Sequence, residues 1–170
     1  MVAGFHNSGA LLADGRYYDW GFNEAGQLGQ GNIGGYSDTP VQVVLPGSVS
    51  EVFQGGSLPD NGQTLALLDT GRLYAWGAES HYQLGTGDTA SQPTPVSVPL
   101  PAGLHFTKLA SSGATSYGIT ANGDLYAWGF NRYGQVGDGT YTDAKTPTFV
   151  IGGVSGISGT DFDVVISLRG

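Results

Sequence analysis

The sequence has no cysteine, few basic residues and no long apolar run. Without cysteine there are no disulfides, no thiolate zinc sites and no thiol catalysis. The 170-residue chain carries 6 lysines and arginines against 14 acidic residues, which gives a net charge of −8. Nucleic-acid-binding surfaces need clustered basic side chains, and here they stand singly, so we expect no nucleic-acid binding. No apolar segment approaches the roughly 20 residues of a membrane-spanning helix, so we expect no membrane insertion.

The cellular location is not written in a targeting signal. The N-terminus lacks the basic start and the apolar stretch of a secretory signal peptide. Charged residues make up 12% of the chain, about half of the usual share of roughly 25%. This low charge and the many serine, threonine, glycine and asparagine residues suit a component exposed to proteases. We therefore favour a virion or extracellular location over a cytoplasmic one.

One aromatic motif occurs three times along the chain. In each copy a Trp-Gly pair follows a tyrosine, and a Gln-Leu-Gly or Gln-Val-Gly triplet begins seven residues after the tryptophan. The structural signature residues are Trp20, Gly21, Trp76, Gly77, Trp128 and Gly129. We interpret residues 1–170 as a single repeat domain. Its units cover approximately residues 2–52, 53–108 and 109–156, with a partial fourth unit at 157–170.

Each unit has the pattern of short strands joined by tight turns. Tyrosine and tryptophan alternate with smaller residues, as in Tyr18 and Trp20, which places each pair on one face of a strand. The dipeptides Asp14-Gly15 and Asn122-Gly123 predict two-residue type I′ hairpins, in which both turn residues have positive φ. No window shows a sustained 3.6-residue apolar period. The sequence therefore predicts an all-β protein.

A repeat with roughly four short strands is typical of a propeller blade. The pattern Gly-x-Leu-Tyr-Ala-Trp-Gly-x-Asn-x-x-Gly-Gln-x-Gly-x-Gly, then Pro and Val, resembles the regulator of chromosome condensation repeat, in a style common in bacterial and viral members. Residues 123–150 match it almost throughout, and residues 15–43 match except at positions such as Asp19. Residues 71–98 depart most, with Ala78-Glu79 and Tyr82 where Asn and Gly are expected.

The resemblance implies blades of a ring that closes with seven. We therefore predict an all-β fold of about three four-stranded β-propeller blades, either a partial propeller or one completed by oligomerisation. The tryptophans are assigned to the core, where sheet packs on sheet. Binding specificity in repeat proteins lies more often in loops that vary between repeats. Such loops follow Gly31, Gly87 and Gly139, and a further varied region covers residues 57–62. Our candidate partner-contact residues are Tyr36, Asp38, Tyr82, Tyr133 and Tyr141.

No motif predicts catalysis, a metal site or a cofactor. The stretch from Gly29 to Gly34 fits G-x-G-x-x-G, but no helix follows it, so we interpret it as a repeat turn. The three histidines lack ligand spacing, and the Asp60-Asn61-Gly62 and Asp138-Gly139-Thr140 turns are too short for a calcium loop. No G-x-S-x-G elbow is present. We expect a non-enzymatic protein with no catalytic residues, no metal and no cofactor.

The expected function is a protein–protein interaction or structural module of a larger assembly. Unpaired strand halves at both ends leave open sheet edges, which need cover. Its partner is then another protein or copies of itself, in a homo-oligomer or a larger complex. The alternative is a regulatory binder. The resemblance implies two kinds, a guanine nucleotide exchange factor and an enzyme inhibitor of the β-lactamase-inhibiting type.

Overall fold

The structure, a computed structural model, describes residues 2–3, 6–56, 62–159 and 164–168. Most of the varied region at 57–62 lies outside these ranges. The described residues form strands β1 (Val2–Ala3), β2 (Asn7–Leu11), β3 (Tyr17–Phe22), β4 (Tyr36–Val43), β5 (Val49–Gly55), β6 (Gln63–Leu68), β7 (Leu73–Gly77), β8 (Gln92–Ser97), β9 (Phe106–Ser112), β10 (Thr115–Thr120), β11 (Leu125–Gly129), β12 (Ala144–Ile151), β13 (Val154–Gly159) and β14 (Val164–Leu168).

These strands form three four-stranded antiparallel sheets and one hairpin. The first sheet runs β1-β2-β3-β4, the second β5-β6-β7-β8 and the third β9-β10-β11-β12, while β13 pairs with β14. We call the three sheets the first, second and third blades. The all-β prediction is confirmed, and the described ranges contain no helix with the length and apolarity needed to cross a membrane.

The turns between the second and third strands differ from the predicted type I′ hairpins. Leu12 N–H donates to the Arg16 carbonyl and Gly15 N–H to the Leu12 carbonyl, which closes a three-residue loop. Thr120 and Asp124 pair in the same way. In each loop the glycine has positive φ, and the Asp14 or Asn122 before it does not. The type I′ prediction was wrong because an extra loop residue allows a type I turn followed by a glycine bulge, in which a single residue needs positive φ.

The core lies between neighbouring blades. One apolar cluster joins the first and second blades through Tyr17, Val43 and Trp76. A larger one joins the second and third blades and reaches β13, with Leu73, Phe106 and Trp128 among its members. Each blade is a twisted sheet with two faces, so its stability depends on the blade packed against each face.

Candidate partner-binding rim

The tryptophans connect successive blades. The Trp76 indole Nε1–H donates to the Gln27 carbonyl at 2.8 Å, and that of Trp128 donates to the Gln83 carbonyl at 3.0 Å. The Gln-Leu-Gly triplet of one repeat therefore receives the tryptophan of the next repeat. Trp76 and Trp128 are fully buried, as expected of core residues, but Trp20 is only half-buried. The reason is that no blade precedes the first one among the described residues.

The varied loops after Gly31, Gly87 and Gly139 lie in the connections that join the third strand of a blade to the fourth. These connections cover residues 23–35, 78–91 and 130–143. Because the blades share one topology, these connections all lie at the same end of the strands. We call this end of the blades the loop rim. Tyr82, Tyr133 and Tyr141 lie in these connections, and Tyr36 and Asp38 lie next to them at the start of β4. Tyr36, Tyr133 and Tyr141 are 82%, 83% and 75% exposed; Asp38 is exposed and Tyr82 is half-buried.

Buried asparagines hold two of these loops in shape. Asn131 Oδ1 accepts a bond from Val136 N at 2.9 Å, and its Nδ2 donates to the Thr142 carbonyl at 2.9 Å. Asn23 bonds Leu28 N in the same way, at 3.0 Å. One asparagine side chain thus bonds a backbone N–H and a backbone carbonyl from two different parts of the same loop. These bonds hold the loop in one conformation.

The second blade has Glu79 in the place of these asparagines. Glu79 Oε2 accepts a bond from Leu84 N at 2.6 Å, which reproduces the acceptor role of the asparagine. Oε1 is buried, with no hydrogen-bond partner among the described residues. Burial raises the pKa of Glu79 to about 8; the bond from Leu84 opposes this shift and the nearby Asp88 adds to it. The carboxyl is therefore mainly protonated at neutral pH, and like the asparagine amide it offers one acceptor and one donor.

A second buried carboxyl lies between the first and second blades. Asp19 occupies the position that Ala75 and Ala127 have in the other repeats. Its two oxygens accept bonds from Gln54 Nε2 at 3.0 and 2.9 Å, and Tyr17 donates its hydroxyl at 3.2 Å. Burial raises the pKa of Asp19 to about 7, although these hydrogen bonds act in the opposite direction.

Tyr82 has an unusual backbone conformation. Its φ is +61°, and it is the one non-glycine residue with positive φ in the described parts of the chain. The other two repeats have Gly26 and Gly134 at this position, with φ of +82° and +80°. A side chain in this region costs roughly 1 kcal/mol or more. Its ring lies below the Lys145 ammonium of the third blade, 5.5 Å from Nζ to the ring centroid, which is a cation–π contact.

Aromatic and charged side chains meet where the second and third blades adjoin. His81 Nδ1 lies 3.2 Å from Asp143 Oδ2, and Asp143 Oδ1 accepts a bond from Asn131 N at 2.9 Å. The rings of His81 and Phe130 are 4.8 Å apart, and those of Phe130 and Tyr133 are 6.0 Å apart. We call the surface formed by His81, Tyr82, Phe130, Tyr133 and Tyr141 the aromatic rim.

Of the predicted contact residues, Tyr82 lies at the boundary of the second and third blades, where it meets Lys145. Tyr133 and Tyr141 lie in the third blade, Tyr133 against Phe130 and Tyr141 beside Gly134. Tyr36 and Asp38 lie at the start of β4 in the first blade. Sequence reasoning missed His81 and Asp143, because the two residues are 62 positions apart in different repeats. The available signal was that residues 71–98 depart most from the repeat pattern. Among the described residues, no group of three or more His, Asp or Glu is arranged so that it could hold a metal ion.

Three consecutive four-stranded antiparallel sheets, packed face to face through a recurring tryptophan bond, define this chain as a β-propeller-type repeat protein. The profile of the regulator of chromosome condensation (RCC1) repeat matches residues 14–58, 70–117 and 122–163. The chain therefore belongs to the regulator of chromosome condensation (RCC1) repeat family, which confirms the resemblance found in the sequence. The first match contains β3, β4 and β5, so it covers the third and fourth strands of one blade and the first strand of the next.

Known relatives are considerably longer than this chain. It is 35% identical to the RCC1 domain-containing mitochondrial protein RUG3 of Arabidopsis thaliana, over 86% of this chain and 33% of the relative. It is 30% identical to the ultraviolet-B receptor UVR8 of the same plant, over 76% of this chain and 29% of the receptor. The chain thus spans about a third or less of these curated relatives.

Solved structures show the same fold. Prp20p from Saccharomyces cerevisiae superimposes with a TM-score of 0.78 at 21% identity, over 92% of this chain and 40% of Prp20p. The propeller prediction is confirmed by this likeness. That structure was described together with the binding of Prp20p to Gsp1p and histones.

Proposed function

We propose that this chain is a non-enzymatic protein-binding module whose partner contacts the aromatic rim. The observation that carries the proposal is the exposure of Tyr133 and Tyr141 beside a blade boundary, in loops that differ between repeats. Tyrosine is enriched among the residues that dominate binding energy at protein interfaces. Its ring offers a large contact area at a low cost in conformational entropy.

The rim is supported by a rigid scaffold. Asn131 anchors the loop of the third blade, and Asp143 bonds both that loop and His81 of the second blade. A surface held in place before binding loses less conformational entropy when a partner arrives. This organisation favours recognition of a protein surface, and the rim has no feature that favours turnover of a substrate.

The relatives favour a regulatory binder as the second candidate. Prp20p binds Gsp1p and histones, and UVR8 is named as a receptor. Because the chain spans 40% of Prp20p, we transfer neither partner as established. Nucleotide exchange and enzyme inhibition remain proposals of this second kind. The relatives named here are from a plant and a yeast, and they give no support to a virion component or to a viral or bacterial origin.

The proposal is tested with three versions of the purified chain against Gsp1p and against core histones, by biolayer interferometry. The double variant Tyr133→Ala/Tyr141→Ala removes the exposed rings. Val44→Ala removes an 80% exposed side chain after β4, at the opposite end of the sheets. We expect at least one of the two proteins to bind the native chain and Val44→Ala equally, and to bind the double variant at least about tenfold more weakly. Equal binding to all three versions, or no binding of either protein, contradicts the proposal.

We further propose that the chain works in an assembly with copies of itself, in which another blade covers Trp20. In the third blade Ser116 Oγ and Trp128 Nε1 both donate to the Gln83 carbonyl, at 2.7 and 3.0 Å. Ser8 pairs with Trp20 across strands β2 and β3, as Ser116 does with Trp128. The first blade therefore offers the same pair of donors to a further Gln-x-Gly turn.

Light scattering over a dilution series tests the self-assembly. We expect a mass of at least twice the 17.5 kDa of the chain, and we expect Trp20→Ala to lower it because the indole donor is lost. A 17.5 kDa monomer at every concentration contradicts assembly from copies. An oligomer that Trp20→Ala leaves intact contradicts the role of the Trp20 face.

A further inference from the structure

We propose that the occupant of the aromatic rim is a basic segment of a protein partner, whose arginine or lysine side chains lie against the Tyr133 and Tyr141 rings. This inference rests on the proposed function, because it names the chemistry of the partner at the same rim. It adds what that partner presents: cationic side chains on an exposed stretch of chain.

The loop rim carries more acidic than basic side chains. Exposed carboxylates lie along it at Glu24, Asp38 and Asp88. The partly buried Asp138 is a fourth carboxylate; hydrogen bonds from Thr140 are the main cause that holds its pKa below the usual range, so it remains ionised. The basic residues of the rim are Arg132 and Lys145. Together with a net charge of −8 for the chain, this arrangement attracts a cationic partner and repels an acidic one.

The tyrosine rings differ in whether a basic side chain of this chain lies over them. Within the rim, Lys145 already lies over the Tyr82 ring at 5.5 Å. At the other end of the second blade, Arg72 lies over Tyr74 at 5.6 Å. Among the described residues no basic side chain lies in this way over Tyr133 or Tyr141, which are 83% and 75% exposed. These two rings are therefore available for cations from outside the chain.

The acidic residues of the rim and the exposed tyrosine rings both favour a cationic ligand. A cation is attracted to the face of an exposed ring, and the carboxylates along the loop rim add a longer-range attraction that salt screens. Arginine fits better than lysine, because its planar guanidinium stacks on an aromatic face and pairs with carboxylates in a bidentate way. An apolar segment would pack against the rings, but the carboxylates would not attract it. The carboxylates would repel the phosphates of a nucleic acid.

The test uses fluorescein-labelled synthetic peptides and the full chain, with anisotropy as the readout. Three peptides share one length and alternate serine with arginine, glutamine or glutamate. We expect the arginine peptide to bind, the glutamine peptide to bind at least about tenfold more weakly, and the glutamate peptide not to bind. Binding of the arginine peptide is expected to weaken as salt is raised.

The variants locate the binding. Tyr133→Ala/Tyr141→Ala is expected to weaken the arginine peptide about tenfold, and Asp38→Asn/Asp88→Asn to reduce its salt dependence, while Val44→Ala has no effect. All of these residues are exposed, and circular dichroism checks that the variants keep the fold. The inference is overturned if the arginine peptide binds Tyr133→Ala/Tyr141→Ala as tightly as it binds the native chain. It is also overturned if the glutamine peptide binds the native chain as tightly as the arginine peptide does. If Gsp1p or histone binding still depends on the two tyrosines, the proposed function stands and only the basic segment fails.

Discussion

Replacing Trp128 with alanine is expected to lower the free energy of unfolding by about 3 to 5 kcal/mol. The side chain is fully buried between the second and third blades, stacks on Phe106 with ring centroids 5.8 Å apart, and bonds the Gln83 carbonyl. Its removal leaves a cavity that the two sheets cannot close without moving together. Urea unfolding measures the loss.

Trp20→Ala is the matched control for this substitution, measured at a dilution at which light scattering shows the chain to be a monomer, so that no copy covers Trp20. Trp20 has the same place in its repeat, but it is half-buried and no described residue bonds its indole, so we expect a loss of about 1 to 2 kcal/mol. Should Trp128→Ala fail to fold, Trp128→Phe keeps a ring and removes the donor, at an expected loss of about 1 to 2 kcal/mol. Equal losses at Trp20 and Trp128 would show that the blade boundary is not where the tryptophan stabilises the fold.

The free energy of unfolding is expected to fall as the pH rises from about 6 to 9. The folded-state pKa of Glu79, about 8, lies above its ordinary value of 4.5, and that of Asp19, about 7, lies above 3.8. A raised carboxyl pKa means that the folded chain binds the proton more tightly than the unfolded chain does. The stability from each group is therefore complete below its ordinary pKa and is lost as the pH passes the folded value.

Glu79→Gln is expected to remove much of this pH dependence. The glutamine amide stays neutral and keeps one acceptor and one donor, as Asn23 and Asn131 do in the other repeats. The gain over the native chain at about pH 9 has an upper bound of about 5 kcal/mol. Asp19→Asn is expected to remove the remaining slope near pH 7.

Urea unfolding at several pH values measures both effects, with Glu24→Gln as the control for loss of an exposed carboxyl on the same rim. A native chain whose stability is flat or rises over this range would contradict the protonated Glu79. The protonated Glu79 would also be contradicted if Glu79→Gln left the slope of the free energy of unfolding against pH unchanged and Glu24→Gln removed it.

The repeat motifs were sufficient to predict the blades. Alternating Tyr18 and Trp20, and their counterparts in the other repeats, defined strands with one aromatic face, and the structure has them on β3, β7 and β11. The turn type was not predictable from Asp14-Gly15 alone, because the same dipeptide serves both a two-residue loop and a three-residue loop. The pairing of Leu12 with Arg16 decides between them.

The candidate site was predictable only in part. The varied loop after Gly139 contains Tyr141, and Tyr133 stands at a variable position inside the repeat pattern, between Asn131 and Gly134. The environment of Trp20 depends on whether another blade covers it, which its own repeat does not encode. The contact between His81 and Asp143 joins two repeats. The protonated state of Glu79 arises because its carboxyl is buried at the position where the other repeats have asparagine. The sequence showed only that this residue departs from the repeat pattern.

We propose above all that Tyr133 and Tyr141, the exposed tyrosines of the third blade, bind a protein partner. Binding of Gsp1p and of core histones to the native chain, to Tyr133→Ala/Tyr141→Ala and to Val44→Ala tests it most directly. The claim predicts binding that the double variant weakens at least about tenfold and that Val44→Ala leaves unchanged. Binding that is equal for all three versions, or absent for both proteins, would contradict it.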